Sequence, residues 1–254
     1  MNKKFLELAK KSKVIIIKVG SNILVNKKHV LRRKWLNSLI EDVKELQKRG
    51  SRIVIVSSGA IALGRNILSK KKLTNLHEKQ AAASIGQIQL SQQWQKAFAK
   101  LNIQSSQILI TAEDLNERRK YLNIRNTIYS LMDLNVVPII NENDTTSTEE
   151  IRFGDNDKLS AMIANALSAE LLILLSDVNG LYTANPKKSL QAKLITSVEE
   201  VDQQIEKYID KDLSEFGSGG MLAKINAAKL CIQSGSTMIC LLYTSDAADE
   251  HSWV

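Results

Sequence analysis

Two clusters of short polar residues flank a loop in the middle of the chain. Residues 141–144 read Asn-Glu-Asn-Asp and follow an apolar run at 136–140, whereas residues 154–157 read Gly-Asp-Asn-Asp and precede a helical pattern from Leu159. Short polar side chains at the end of a buried strand contribute little to a core, but they can hydrogen-bond a small polar ligand. A solvated Asx-rich loop would explain either cluster alone. Two clusters around one loop favour a binding site.

Three further segments have the composition of phosphate-binding sites. They are Lys18 with the following Gly20-Ser21, the Ser-Ser-Gly-Ala turn at residues 57–60, and the Gly-Ser-Gly-Gly run at 217–220 before a helix that carries Lys224. Glycine lets the backbone approach a phosphate closely, helix N-termini attract anions, and lysine supplies positive charge. The ordinary alternatives are a structural lysine, a glycine required for packing and a flexible linker.

Several kinds of site are disfavoured. Gly64 is followed by Arg65-Asn66, whereas a Walker A loop needs lysine and then serine or threonine at these positions. His29, His77 and His251 lie outside the clusters, which argues against an acid–base mechanism built on histidine. Histidine and cysteine show no metal-ligand spacing, and we expect no metal site on the protein. Lysines, glycines and carboxylates remain, and these position and neutralise phosphates.

Length and composition indicate an ordinary α/β protein with an aliphatic core. The chain has 254 residues, of which 44% are hydrophobic and 24% charged, enough for one large domain or two small ones. We find no secretory signal and no apolar run near the ~20 residues that span a bilayer. Cys231 and Cys240 suit buried thiols better than a disulfide. We therefore expect a cytoplasmic protein without a membrane partner.

The formal net charge of +8 raises the question of nucleic-acid binding. Lysine runs such as residues 70–72 have no interleaved aromatic residues and accompany no nucleic-acid motif. Solvated surface lysines explain them, so we expect no nucleic-acid partner. A positive field still favours anionic substrates.

Strand and helix patterns alternate along the chain. Apolar runs predict strands at residues 14–17, 52–56, 107–111, 136–140, 171–175 and 237–242. Apolar residues at helical spacing predict helices at 35–46, 81–101, 118–134, 158–169, 199–209 and 222–233. Residues 179–197 indicate a hairpin or excursion. This alternation predicts a mostly parallel sheet covered on both faces, with ligands beyond the carboxyl ends of its strands.

The last residues match no element that such a fold needs. We therefore expect one domain over residues 1–240 with an incomplete C-terminal end, followed by a non-native tail at 241–254.

Six motifs in this order resemble the amino-acid kinase family. They lie at residues 17–21, 56–61, 137–144, 154–157, 176–183 and 217–221, and the similarity covers about residues 14–239. The resemblance implies a three-layer α-β-α sandwich around a mostly parallel sheet. It also implies that the PUA domain of some members is absent here. The segment at 141–144 is similar to that of the family members that phosphorylate L-glutamate.

The resemblance also implies roles for individual residues. Lys18, Asp157 and Lys224 would be catalytic, with Asp157 holding the two lysines in place. Glutamate would be bound by Ser58, Asn141, Asp144, Asp155 and Asn156. The nucleotide would be bound by Lys18, Gly20, Ser176, Asp177, Ser218, Gly219, Gly220, Met221, Leu222, Ala223 and Lys224.

The implied reaction transfers a phosphoryl group from ATP, with Mg²⁺, to the side-chain carboxylate of L-glutamate, the first step of proline biosynthesis. That carboxylate has a reference pKa of ~4.3 and is ionised at neutral pH. It needs no general base, which agrees with the missing histidine. The resemblance further implies feedback inhibition by proline and a homo-oligomer, either a dimer or a tetramer.

Two alternatives stay open. Another kinase of this family would act on acetylglutamate, carbamate or UMP, and the segment at residues 141–144 counts against it. A non-catalytic binding or regulatory protein would keep the fold and lose the chemistry. The presence of Lys18, Asp157 and Lys224 counts against that reading.

Overall fold

The computed structural model describes residues 3–69, 72–146, 156–177, 179–184, 189–203, 205, 208 and 220–242, with side chains from residue 7 onward. The strands are β1 (Val14–Val19), β2 (Arg52–Ser57), β3 (Gln104–Ile110), β4 (Val136–Glu142), β5 (Leu171–Ser176), β6 (Leu181–Tyr182), β7 (Leu194–Ile195) and β8 (Thr237–Leu242). The helices are α1 (Lys3–Lys11), α2 (Ser21–Leu24), α3 (Arg33–Lys48), α4 (Ala60–Ile67), α5 (Leu76–Ala99), α6 (Ala112–Asn116), α7 (Arg118–Asp133), α8 (Asn156–Ala166) and α9 (Gly220–Ser234).

Six strands form one sheet in the order β3-β4-β2-β1-β5-β8, and every neighbouring pair in it is parallel. In the centre, Lys18 of β1 lies opposite Val56 of β2 on one side and Leu174 of β5 on the other. Strands β1 and β5 are buried along their whole length, as continuous apolar runs predict. The prediction of a mostly parallel sheet is confirmed.

The two faces of the sheet pack against different helices. Ile15 and Ile17 of β1 belong to one core together with side chains of α3 and α5. Val14 and Ile16 belong to a second core together with side chains of α7, α8 and α9. Helices cover both faces, so the predicted three-layer sandwich is confirmed. Because side chains alternate along a strand, Lys18 lies on the same face as Ile16, towards α8 and α9.

Side-chain caps set two boundaries that the sequence patterns place elsewhere. Helix α5 begins at Leu76 rather than at residue 81, because the Asn75 side chain caps it by accepting a hydrogen bond from the Glu78 N–H. Thr111, predicted as the end of a strand, instead caps α6 through a capping box with Asp114. In both places a side-chain cap decides the boundary, whereas apolar periodicity does not report it. The helical patterns also miss α1, α2 and α6.

Other sequence predictions fall on several elements. The hairpin within residues 179–197 is present as the antiparallel pair of β6 and β7. Cys231 and Cys240 are free thiols, the first buried and the second half-buried. The helix predicted at 199–209 lies partly outside the described residues. Residues 241 and 242 of the predicted tail belong to β8, and residues 243–254 lie outside the described residues.

Helices α4 and α5 cross at glycines. A Cβ atom on Gly64 would lie 1.7 Å from the carbonyl oxygen of Ala82, and one on Gly86 would lie 1.8 Å from that of Ala60. These distances exclude a side chain at either glycine without movement of the backbone. The crossing therefore fixes α4, which starts at the end of β2, against α5 between Ala82 and Gly86. None of the described helices is long and apolar enough to cross a membrane.

Candidate active site

An open cleft of about 750 Å³ lies across the carboxyl ends of β4, β2, β1 and β5. The predicted site residues that line it are Lys18, Gly20, Ser58, Asn141, Asp144, Asn156, Asp157, Ser176, Asp177, Gly220, Leu222, Ala223 and Lys224. Met221 is not among the lining residues. Asp155, Ser218 and Gly219 lie outside the described residues.

The cleft includes the point where the strand order reverses. The chain adds β2 on one side of β1 and later adds β5 on the other side. Ligands of open α/β sheets bind in the crevice that opens at such a point, beyond the carboxyl ends of the strands. Lys18 and Gly20 at the end of β1, and Ser176 and Asp177 at the end of β5, lie at this crevice.

Three charged side chains meet in the middle of the cleft. Nζ of Lys18 lies 2.6 Å from Oδ1 of Asp157. Nζ of Lys224 donates a hydrogen bond of 2.8 Å to Oδ2 of the same carboxylate. The three side chains come from β1, α8 and α9, and each is at most 13% exposed. We call them the ionic triad; one carboxylate between two ammonium groups leaves a positive excess, which favours an anionic ligand.

Asp157 is the anion of the ionic triad. Burial by itself raises the pKa of a carboxyl group. The charges and hydrogen bonds of Lys18 and Lys224 outweigh burial and hold the pKa of Asp157 below its ordinary value. Asp157 is therefore ionised at neutral pH and is a poor general base. Its geometry suits it to holding the two lysines side by side.

A chain of neutral hydrogen bonds runs from the cleft to α5. Nδ2 of Asn156 donates to Oγ of Ser58 at 2.7 Å and to Oδ1 of Asn141 at 2.9 Å. Nδ2 of Asn141 in turn donates to Oε1 of Gln87 at 2.8 Å. We call these four side chains the amide chain. Asn141 and Asn156 are buried, and mutually bonded buried amides hold one another in place.

One polar atom of Asn156 has no partner among the described residues. Its Oδ1 is buried and accepts no hydrogen bond from the described residues. An unsatisfied buried acceptor costs free energy, and in native structures it needs a reason such as a ligand that supplies the missing donor. A ligand N–H group at this end of the cleft would satisfy Oδ1 of Asn156.

Asp144 lies at the same end of the cleft, just past β4. Burial raises the pKa of Asp144 from 3.8 to about 6. The carboxyl group is thus mostly ionised at neutral pH in surroundings that disfavour its charge. A cationic ligand group beside it would offset that cost.

The opposite end of the cleft is formed by the ends of β1 and β5 and by the start of α9. A Cβ atom on Gly20 would lie 3.6 Å from Nζ of Lys18, so a larger side chain there would cover the ammonium group. Asp177 accepts a hydrogen bond of 3.2 Å from Nδ2 of Asn22. Gly220 begins α9, and Lys224 follows about one turn later. A helix start with two lysines suits a phosphate.

Sequence reasoning misses several residues at this site. Those that line the cleft are Asn22, His29, Arg65, Lys72 and Lys79. The sequence patterns place His29 outside the clusters, but it lies in a turn that begins at Asn26, whose side-chain oxygen accepts a hydrogen bond from the Lys28 N–H. An Asx turn was the available signal. Gln87 gives no comparable signal, because it is one of many glutamines on a long helix.

Sequence comparison connects the chain to known enzymes. A sequence model of the amino acid kinase family matches residues 13–241. The chain is 49% identical over 231 residues to a glutamate 5-kinase of Pelagibacter ubique, covering 91% of this chain and 63% of the relative. It is 46% identical over 235 residues to glutamate 5-kinase 1 of Mesorhizobium japonicum, covering 92% and 62%. It therefore spans less than two thirds of these relatives' length.

Two solved structures share the fold. UMP kinase from Ureaplasma parvum superposes with a TM-score of 0.63 at 15% sequence identity, covering 95% of this chain and 97% of that one. Carbamate kinase from Giardia lamblia bound to AMP-PNP superposes with a TM-score of 0.61 at 17% identity, covering 95% and 96%. At these identities the likeness shows the fold alone.

Proposed function

The chain belongs to the amino acid kinase family, and we propose that it transfers a phosphoryl group from ATP to the side-chain carboxylate of L-glutamate. The observation that carries the proposal is the pairing of two arrangements in one cleft. The ionic triad supplies positive charge for phosphates, and the amide chain with Asp144 supplies neutral and acidic groups for an amino acid. The relatives at 46–49% identity are named glutamate 5-kinases.

The reaction needs no proton transfer. An oxygen of the ionised carboxylate attacks the γ-phosphorus of ATP and forms a new O–P bond. The bond between that phosphorus and the bridging oxygen of ADP breaks, and ADP leaves with the electron pair. The products are ADP and L-glutamyl 5-phosphate, an acyl phosphate. The absence of a candidate general base from the ionic triad and the amide chain is consistent with this chemistry.

The ionic triad would lower the barrier by electrostatics. Attack of a carboxylate on a triphosphate brings two anions together, and preorganised positive charge offsets the repulsion. Lys18 and Lys224 come from different elements, β1 and α9. The carboxylate of Asp157 holds both ammonium groups within 2.8 Å of its oxygens. Asp157 would thus act as an organiser of the lysines and not as a base.

The amide chain and Asp144 would bind the amino acid. Oδ1 of Asn156 would accept a hydrogen bond from the substrate ammonium group, because it has no partner among the described residues. Asp144 would supply a negative charge to the same ammonium group. Oγ of Ser58 accepts from Asn156, which leaves the hydroxyl hydrogen of Ser58 for a substrate carboxylate.

The residues at the ends of β1, β5 and α9 fit ATP. The positive excess of the ionic triad, the open space beside Gly20 and the start of α9 at Gly220 all suit a chain of phosphates. Among the described residues, no group of three or more His, Cys, Asp or Glu side chains is placed to hold a metal ion. Mg²⁺ would enter with ATP, where it would reduce the charge on the phosphates.

Three further properties belong to the proposal as expectations from the family resemblance. They are a cytoplasmic location, inhibition by proline, and assembly of the chain into a dimer or tetramer.

Trapping of the acyl phosphate tests the proposed reaction. The protein is incubated with ATP, Mg²⁺ and hydroxylamine, together with L-glutamate or N-acetyl-L-glutamate, and the hydroxamate is measured as its ferric complex. We expect hydroxamate with L-glutamate and little with the acetylated substrate, since acetylation removes the ammonium group that Asp144 and Asn156 would bind. Product only from acetylglutamate would indicate a different kinase of the family. Folded protein that gives no hydroxamate with either would contradict phosphorylation of both glutamate and acetylglutamate.

A further inference from the structure

We call the open cleft across the carboxyl ends of the strands the substrate cleft. The amide chain continues beyond it into a second cleft. This second cleft, of about 340 Å³, lies between α5 and the strands β3 and β4, and both Gln87 and Asn141 line it. Gln87 itself does not line the substrate cleft. We propose that Gln87 is a positioning residue for glutamate, which sets the donor and acceptor directions of Asn141, Asn156 and Ser58. The inference rests on the proposed function.

Gln87 controls the direction of the hydrogen bonds in the amide chain. A carboxamide has one oxygen that accepts and one nitrogen that donates. Asn141 accepts from Asn156 through Oδ1, so its Nδ2 must find an acceptor elsewhere. Oε1 of Gln87, at 2.8 Å, is that acceptor. If Asn141 rotated by half a turn, its Nδ2 would meet Nδ2 of Asn156, and two donors would oppose each other.

Gln87 is itself oriented from the side away from the substrate. Its Nε2 donates to Oγ of Ser91 at 3.2 Å, one turn along α5. Ser91 Oγ also contacts Oε1 of Gln107 on β3 and lies 2.9 Å from the carbonyl oxygen of Gln87. Because Nε2 is engaged with Ser91, Oε1 is the atom that points to Asn141. The orientation of the amide chain is therefore decided outside the substrate cleft.

The consequence appears at the substrate end. With the present direction, Asn156 donates to Ser58 and keeps its Oδ1 as an acceptor. Reversal of the chain would place Oδ1 of Asn156 against Ser58 and leave Nδ2 facing the ligand. A substrate ammonium group would then meet a donor instead of an acceptor. Gln87 would thus affect the binding of glutamate and leave the phosphates untouched.

The backbone around Gln87 is fixed independently of its side chain. Gly86 is in contact with α4 at Ala60, so α5 is held at this point by the helix crossing. Trp94 of α5 is fully buried and donates to Oγ of Ser57 at 2.9 Å. A substitution at position 87 therefore tests the direction of the hydrogen bonds with the least disturbance of helix position.

The test compares three variants with the wild-type protein. Gln87→Met removes the acceptor but keeps length and helix propensity. Gln87→Glu keeps an acceptor for Asn141. Gln92→Met is the matched control, since Gln92 is an exposed residue of α5 that lines the second cleft outside the amide chain. KM for glutamate, KM for ATP and kcat are measured in the hydroxamate assay, and thermal melting reports folding.

We expect Gln87→Met to raise KM for glutamate about tenfold, with KM for ATP and kcat changed less than about threefold. Gln87→Glu should restore most of the affinity for glutamate, and Gln92→Met should behave as wild type. An unchanged KM for glutamate in Gln87→Met, or equal rises in both KM values, would overturn the inference. Wild-type protein that forms no hydroxamate would instead overturn the proposed function.

Discussion

Asn156 and Asp157 are adjacent on α8, yet they belong to two regions of the cleft that are held together differently. Asn156 belongs to the amide chain, where each contact has a donor and an acceptor and the direction of each bond matters. Asp157 belongs to the ionic triad, where two ammonium groups share one carboxylate. Charge attracts from any direction, whereas amides discriminate by orientation. In the proposed function, this difference would separate phosphate chemistry from substrate recognition within one helical turn.

Asp144 and Asp157, two of the aspartates that line the cleft, make the same contrast. Burial opposes ionisation of both, but Lys18 and Lys224 overcome it at Asp157 and hold its pKa below the ordinary value. At Asp144 no such partner lies among the described residues, and burial raises the pKa to about 6. The ionic triad is therefore complete without a ligand, whereas a cationic group of the substrate would supply a counter-charge to Asp144.

The largest expected effect comes from removing a lysine of the ionic triad. Lys224→Ala should lower kcat on the order of 10²- to 10³-fold and leave glutamate affinity within about threefold, because the lysine would act on charge that develops in the transition state. Steady-state kinetics and calorimetric titration with glutamate measure the two effects. Lys229→Ala, on the same helix but outside the cleft, is the control. A loss of glutamate affinity that exceeds the loss of turnover would remove the transition-state role.

The exchange Asp157→Asn should have the next largest effect. It keeps the shape of the side chain and removes the charge that holds two ammonium groups together, so kcat should fall roughly 10- to 100-fold. KM for glutamate should change much less. Asp133→Asn is the control, since Asp133 is an exposed partner of Arg52. If KM for glutamate rose and kcat stayed constant, the assignment of Asp157 to phosphate chemistry would be wrong.

The converse exchange, Asn156→Asp, should act on the other region. An ionised carboxylate cannot donate to Ser58 or Asn141, so KM for glutamate should rise about tenfold or more while KM for ATP changes little. Asn165→Asp, on the exposed side of the same helix, supplies the matched control. Equal effects of the Asn156 and Asp157 exchanges on both substrates would show that the two regions are not separable.

The smallest expected effect concerns stability and pH. Asp144 has a raised pKa in the folded protein, so the folded state binds more protons than the unfolded state between pH ~4 and ~6, and stability falls as the pH rises through this window. Asp144→Asn has no ionisable group at this position and therefore does not lose stability in this way. Without ligand, the variant should be more stable than wild type by about 1 kcal/mol at pH 7.5 after allowance for partial exposure, and the gain should vanish near pH 4. Urea unfolding at both pH values checks the sign; a gain independent of pH would contradict it.

Much of the fold could be predicted from the sequence because its central strands are fully buried. A strand covered on both faces needs a continuous apolar run, and the run at residues 14–17 has no other ready explanation. The end of each run then marks the edge of the sheet where ligands bind, which is how Lys18 and Ser58 came to be expected at one cleft. Apolar runs do not predict boundaries that are set by side-chain caps, such as the start of α6 at Thr111.

The candidate site could be predicted only in part. Motif order was enough to nominate Lys18, Asp157 and Lys224. The structure places Nζ of each lysine within 2.8 Å of an Asp157 carboxylate oxygen. Gln87 could not be nominated in this way, because its bond to Asn141 joins residues 54 positions apart. The sequence also does not predict the opposite pKa shifts of Asp144 and Asp157, because both aspartates lie in similar polar clusters along the chain.

By itself, the sequence determined which elements form and which chemical groups stand at their ends, because periodicity and local composition are properties of neighbouring residues. Only the tertiary structure decided which of those groups contact one another, and with that how they would divide between phosphate and amino acid in the proposed function. Asn156 and Asp157 differ by one position along the chain, but Asn156 meets Ser58 and Asn141 whereas Asp157 meets Lys18 and Lys224. Partners of this kind are brought together by the packing of helices on the sheet, so their roles depend on distance in space and not on distance along the chain.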